Sequence, residues 1–196
     1  MFSGIISHLG KLRSYKKNIF TFEVPSPFAK SLKEGDSVAV NGVCLTIIEN
    51  GPNFFQIEVM PETLKKTSLV FFKIGDFVNL ELPLGTTERF AGHMVQGHID
   101  GMATIKNIKK QGNSRIFTFK IPASLSRLIV EKGSIAVNGI SLTVIKTSDD
   151  SFTVGIIPYT WNHTMLKMAK VGDKVNVEVD IFAKYLRKFV KGYLKR

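Results

Sequence analysis

Apolar and polar residues alternate over short runs along most of this chain, the period of a half-buried β-strand. Val38 and Val40, then Val43, Leu45 and Ile47, take alternate positions around Asn41-Gly42. Asn-Gly is the strongest two-residue hairpin signal, because both positions tolerate φ > 0. Ile19 to Val24, Phe54 to Met60 and Phe77 to Leu82 predict further strands, with brief helical turns after Pro27 and from Pro61 to Ser68. From Asp180 the period changes. Phe182, Leu186, Phe189 and Tyr193 recur at helical spacing, and Tyr185, Val190 and Leu194 widen the stripe, so an amphipathic helix is expected from 181 to 196.

The strand pattern occurs twice. Phe20-Thr21-Phe22-Glu23-Val24-Pro25 returns as Phe117-Thr118-Phe119-Lys120-Ile121-Pro122, 97 residues later. Ser37 to Thr46 returns as Ser134 to Thr143, and Gly75 to Glu81 as Gly172 to Glu178. The segment opening at Met1 matches the one opening at Met94, an offset of 93, so four residues are gained near Lys109 to Ser114, where polar composition predicts a loop. A period this long suits a small complete domain rather than a solenoid unit. Each half is short, and closing its sheet removes exposed edges. The expected fold is therefore all-β: two tandem six-stranded Greek-key β-barrels, 1–93 and 94–180, followed by a C-terminal α-helix. The first repeat lacks such a tail, which favours self-association through the aromatic stripe over a helix folded back on its own barrel.

Composition narrows the classes. With 44% hydrophobic residues, 15 Phe and 22% charged residues, bulk disorder is not expected. No window approaches the ~18 consecutive apolar residues of a membrane span, and the N-terminus has no signal-peptide pattern, so a cytoplasmic protein without membrane association is expected. The single cysteine, Cys44, makes no internal disulfide. The formal net charge of +11 raises nucleic acid as a partner, but six basic and no acidic residues lie between 181 and 196, leaving +5 for the other 180 residues. Most of the Phe residues read as core, so an RNA-binding barrel face is not indicated.

No Gly-rich phosphate loop opens a helix, and His93 and His98, five apart, share no helix or strand face, so neither metal nor nucleotide cofactor is indicated. Small polar residues instead recur at equivalent places: Cys44 and Thr46 against Ser141 and Thr143, Thr63 against Thr160, and Gly4 against Gly97. A single hydroxyl on a strand commonly serves the backbone. Their joint repetition points to a ligand pocket in each half.

Met1-Phe2-Ser3-Gly4-Ile5-Ile6, Asn41 to Thr46, Met60 to Leu64, Gly92 to Asp100 and Asn138 to Val144 together resemble the riboflavin synthase family, with its duplicated lumazine-binding unit. The similarity covers the whole chain. It implies a cofactor-free dismutation in which two molecules of 6,7-dimethyl-8-ribityllumazine exchange a four-carbon unit, giving riboflavin and 5-amino-6-ribitylamino-uracil. It also implies a homotrimer with active sites between subunits, and lumazine synthase as a further partner. A non-catalytic lumazine- or flavin-binding antenna protein is the alternative.

Carried over by position, the N-terminal pocket takes Gly4, Ile5, Ile6, Cys44, Leu45, Thr46, Glu58, Val59, Met60, Pro61, Glu62 and Thr63. The C-terminal pocket takes Gly97, His98, Ile99, Lys132, Ser141, Leu142, Thr143, Gly155, Ile156, Ile157, Pro158, Tyr159 and Thr160. His98, where the first half has Ile5, is the candidate proton carrier or else a donor to a ligand carbonyl. Cys44 opposite Ser141 supplies either a nucleophile or a small buried binding group. The resemblance also places Ser37 and Asp180 at the site. Lys132 replaces Gly35 as a cation for an anionic ring or as a solvated loop lysine, and Glu62 has Tyr159 as its counterpart.

Overall fold

A computed structural model describes residues 1–193. The first barrel comprises β1 (His8–Lys16), β2 (Ile19–Glu23), β3 (Ser37–Val40), β4 (Val43–Asn50), β5 (Phe54–Glu58) and β6 (Phe77–Glu81). The second comprises β7 (Gly101–Gln111), β8 (Ser114–Lys120), β9 (Ser134–Val137), β10 (Ile140–Thr147), β11 (Ser151–Ile156) and β12 (Lys174–Val179). Each closes in the same order, β1-β2-β5-β4-β3-β6 and β7-β8-β11-β10-β9-β12, with every neighbouring pair antiparallel. Short helices α1 (Ser26–Lys30), α2 (Pro61–Lys66), α3 (Ala123–Ser126) and α4 (Pro158–His163) cover barrel ends, and α5 (Ile181–Tyr193) follows β12.

The repeat is thus a repeat of whole barrels. Inward-facing Phe22 and Phe55 stack in the first core, and Phe119 stacks on Phe117 and Phe152 in the second. The barrels bend at matching β-bulges, around Arg13 and Ile48 in one and Lys106 and Ile145 in the other. A bulge shifts the side-chain alternation by one residue, which lets a twisted strand turn the barrel corner. The four inserted residues do not form the expected loop. Lys109, Lys110 and Gln111 pair with Ile116, Arg115 and Ser114, so the insertion lengthens the β7–β8 hairpin beyond its β1–β2 counterpart. Alternating Lys, Gln and Arg are compatible with two solvated strand faces, which composition alone does not separate from a loop.

The Asn-Gly turns serve more than hairpins. Asn41 and Asn138 have φ of 44° and 46°, and Gly42 and Gly139 of 76° and 77°. The two turns meet back to back: a Cβ on Gly42 would lie 2.6 Å from the Gly139 nitrogen. Four buried asparagines join the barrels there. Asn79 Nδ2 donates to the Asn138 carbonyl and Asn176 Nδ2 to the Asn41 carbonyl, both at 2.9 Å. Asn41 and Asn138 Oδ1 accept the backbone N–H groups of Asn79 and Asn176 at 2.7 Å. Asn79 and Asn176 Oδ1 accept from Met165 and Ser68 N–H at 2.8 and 2.7 Å. A polar group stranded there would cost roughly 1–3 kcal/mol, so the lattice fixes one approach of the two barrels.

α5 does not fold back on its barrel. Phe182, Leu186, Phe189 and Tyr193 are 60–80% exposed, and the helix base is held by Lys184 Nζ on Asp100 (2.8 Å) and Arg187 on the Ser124 carbonyl. Leu194, Lys195 and Arg196, expected to complete the helix, lie outside the described residues. Among the described residues no helix is long and apolar enough to cross a membrane.

Candidate functional site

Two straps decide how the pockets are assembled. One is the N-terminal segment through Ile6, and the other runs from His93 to Ile99; they pair at Phe2 and Val95. Each is held by a buried carboxylate from the barrel it enters. Glu81 accepts from Ser3 N (2.7 Å), Ser3 Oγ (2.8 Å) and Gly4 N (3.1 Å), and Glu178 accepts from Gln96 N (2.8 Å) and Gly97 N (2.9 Å). Burial raises both carboxyl pKa values, and the backbone donors offset part of that shift.

Each strap then crosses to the other barrel. The Gly4 carbonyl accepts the Ser141 N–H at 2.8 Å, whereas the Gly97 carbonyl accepts the Cys44 N–H at 2.9 Å. Ile6 packs against the second core and Ile99 against the first. This corrects the expected grouping. Gly4-Ile5-Ile6 belongs with Ser141-Leu142-Thr143, and Gly97-His98-Ile99 with Cys44-Leu45-Thr46. The repeat comparison could pair each strap only with its own repeat, while the chain exchanges them between barrels.

Around these straps the remaining candidates fall into place by strand parity. Leu45 and Leu142 point into the cores, leaving Cys44 and Thr46, and Ser141 and Thr143, on the outer faces of β4 and β10. Ser37 is the cross-strand partner of Thr46. Val59 and Ile156 are core, and Glu58, Met60, Pro61 and Glu62 are exposed beside half-buried Thr63 on α2. Gly155 and Thr160 are half-buried, while Ile157, Pro158 and Tyr159 are exposed on and before α4. The two walls differ. Glu58 is tied to Asn18 Nδ2 (2.7 Å) and Glu62 to Lys66 (3.0 Å), which lowers the Glu62 pKa, whereas Tyr159 stacks on His163 at 4.1 Å. Lys132 is exposed at φ 64° in a tight turn, its N–H on the Val144 carbonyl.

One residue weighed only as a metal ligand in the sequence lies against Ser141 of the second barrel. His93 is 9% exposed, its backbone N–H donates to the Ser3 carbonyl, and its Nδ1 lies 2.7 Å from Ser141 Oγ. With the proton on Nε2, Nδ1 accepts from the hydroxyl. Burial lowers the His93 pKa, and the Asp180 carboxylate opposes that shift. Asp180, at the end of β12, also accepts the Phe182 N–H at the start of α5. A neutral imidazole against a hydroxyl, with a carboxylate near enough to stabilise the protonated ring, can take and return a proton. His98 is exposed on the same strap, next to Gly97, whose carbonyl accepts the Cys44 N–H.

A described groove lies elsewhere. About 570 Å³ in volume, it runs between the 3-10 turns Ser68–Phe71 and Met165–Met168, lined by Phe71, Phe77, Met168 and Lys73, and no candidate pocket residue lines it.

The fold defines a class: a duplicated six-stranded barrel protein in which each barrel carries the same polar strand beside a strap. The chain belongs to the lumazine-binding domain family, whose model matches residues 3–83 and 96–180. It is 40% identical over 193 residues to the riboflavin synthase of Bacillus subtilis (strain 168) and 45% identical over 193 residues to that of Actinobacillus pleuropneumoniae; each match covers 97% of this chain and 90% of the relative. It is also similar to the crystal structure of LumP complexed with riboflavin, with a TM-score of 0.85 and 26% identity over 91% of this chain and 99% of that one.

Proposed function

We propose that this chain is a riboflavin synthase, converting two molecules of 6,7-dimethyl-8-ribityllumazine into riboflavin and 5-amino-6-ribitylamino-uracil. The observation that carries the reading is the pair of exchanged straps, which gives each barrel one pocket built on the same frame with different chemical groups. The two substrates are identical, yet one must lose a proton from its C7 methyl group while the other accepts a nucleophile. Two pockets on one frame hold the pair in matched orientation, and the differing residues give each molecule its role. Holding two ring systems in reacting geometry can contribute roughly 7–11 kcal/mol.

The C-terminal pocket supplies the proton relay, Ser141 and His93 with Asp180 behind them. The N-terminal pocket supplies Cys44, Thr46, Ser37 and His98 for binding and orientation. Open apolar residues around both, including Met60 (70% exposed), Ile157 (57%) and Ile5 (48%), support a site closed by a second copy. The uncovered stripe of α5 supports association through that helix, and a homotrimer is the proposed assembly.

Incubating the purified chain with 6,7-dimethyl-8-ribityllumazine should produce riboflavin, followed by its fluorescence, and light scattering should find an oligomer. Tight binding of the lumazine without product would favour the antenna reading, and a fully active monomer would remove the inter-subunit site.

The His93 shift gives a pH dependence. A lowered pKa in the fold means that the native state binds fewer protons than the unfolded chain between the two values. Stability from neutral His93 is therefore complete above the ordinary value of about 6.5 and is lost as pH falls through the folded value. The acid limb of kcat should fall at a pH below the ordinary histidine range, and His93→Gln should abolish that limb.

A further inference from the structure

The two pocket walls are anchored differently. α4 carries Pro158, Tyr159 and Thr160, and its next residue, Trp161, is the chain's single tryptophan. The indole is half-buried against the second core, 6.1 Å from Phe117 between ring centroids, and the Arg115 guanidinium carbon lies 3.6 Å from the indole centroid. Arg115 stands on β8 opposite Ile156, the strand residue that leads into the wall. Among the described residues no carboxylate lies within salt-bridge distance of Arg115, so its recorded partner is the ring. The corresponding positions of the first barrel hold Asn18 and Leu64. There α2 is anchored by Leu64 against the core and by the exposed Glu62–Lys66 pair.

A planar cation flat on an indole favours the stacked arrangement by roughly 2- to 30-fold, depending on desolvation. We propose that the Arg115–Trp161 stack is a clamp that positions α4 and makes the C-terminal pocket the preorganised, tighter member of the pair. This rests on the lumazine reading given above. A wall that is already fixed loses less freedom when ligand binds, so the C-terminal pocket fills first and the N-terminal one orders around the second molecule. Arg115 is a positioning residue: it acts through Trp161 and α4. The order of filling then separates two substrates that are chemically the same.

The test titrates the full chain with riboflavin, reading riboflavin fluorescence and the emission of Trp161 together. Two classes of site are expected, with quenching of Trp161 tracking the tighter class. Arg115→Ala should weaken that class about tenfold, leave the weaker class unchanged and shift Trp161 emission in the free protein. In turnover it should raise KM with less than a twofold change in kcat, and Arg115→Lys should recover part of the loss. Trp161→Leu, which installs the residue of the first barrel, should merge the two classes and serves if Arg115→Ala does not fold. Unchanged tight-class affinity despite the emission shift would overturn the clamp, as would equal weakening of both classes. Failure of the unmodified chain to bind riboflavin would sink the ligand reading instead, leaving the emission shift to judge whether the stack exists.

Discussion

Gly97→Ala should cost about 3 kcal/mol or more of folding stability, whereas Gly35→Ala should cost about 1 kcal/mol or less. The two glycines have nearly the same backbone strain, with φ of 83° and 85°. Their surroundings differ. A Cβ at Gly97 would lie 2.4 Å from Cys44 Cβ and 2.7 Å from the Cys44 nitrogen, while nothing lies within 4 Å of one at Gly35. Cys44 is held on β4 by its pairing with Ala39, so relief must come from the strap. Moving the strap breaks the hydrogen bond from Cys44 N–H to the Gly97 carbonyl and strains the bond from Gly97 N–H to Glu178, which leaves a buried carboxylate short of a donor. The second barrel already answers the Gly35 case, because Lys132 occupies the equivalent turn at φ 64°. Urea unfolding of the two variants isolates contact from strain. Equal losses of stability would mean that the strap is not wedged against β4. Because the same strap carries His98 and Ile99 to the first pocket, Gly97→Ala should also retain less than about 1% of the activity, with Gly35→Ala near the unmodified level.

The barrels were legible in the sequence because their cause is local. Alternation gives strands, Asn-Gly gives hairpins, and the long repeat gives two copies of one unit. The β-bulges were less legible, since a slip of one residue looks like the end of a strand. The joining of the barrels was hidden for a different reason. Ser68 meets Asn176 across 108 positions and Asn176 meets Asn41 across 135, and no periodicity marks contacts so far apart. Asn79 and Asn176 were visible as matching residues, but matching does not say that each bonds to the other repeat. The two equivalent polar strands, with Cys44, Thr46, Ser141 and Thr143, were marked by duplication. The exchange of straps was not, because aligning a repeat with itself places every segment in its own copy. His93 escaped for a similar reason: at the offset of 93 its counterpart would precede Met1, so it had no partner to flag it.

Ser141→Ala and His93→Gln should each lower kcat by about 100-fold or more, and the double variant should be little worse than either. The non-additivity is the decisive part. Ser141 Oγ and His93 Nδ1 are 2.7 Å apart, so if they move one proton together, removing either group removes the whole relay. Independent roles, such as a hydroxyl that binds the ribityl chain and a histidine that merely supports the strap, would multiply instead and give about 10,000-fold. Folding does not account for the expected loss at Ser141. Its backbone N–H makes the bond to the Gly4 carbonyl, which alanine preserves, and its side chain is half-buried on the outer face of β10. Removing the hydroxyl leaves His93 with an unpaired nitrogen in a buried place, at a cost of roughly 1–3 kcal/mol that thermal unfolding reads separately from kcat, and leaves Asp180 near the ring. His98→Ala is the comparison that separates the pockets. It should raise KM more than it lowers kcat, since His98 is exposed beside Gly97, which bonds to Cys44 of the opposite barrel, and among the described residues its ring has no hydroxyl partner like that of His93. Single-turnover rates for the three variants, with thermal unfolding to verify the fold, carry the test. A Ser141→Ala chain with near-normal kcat would move the proton transfer away from the C-terminal pocket and return His98 to first place.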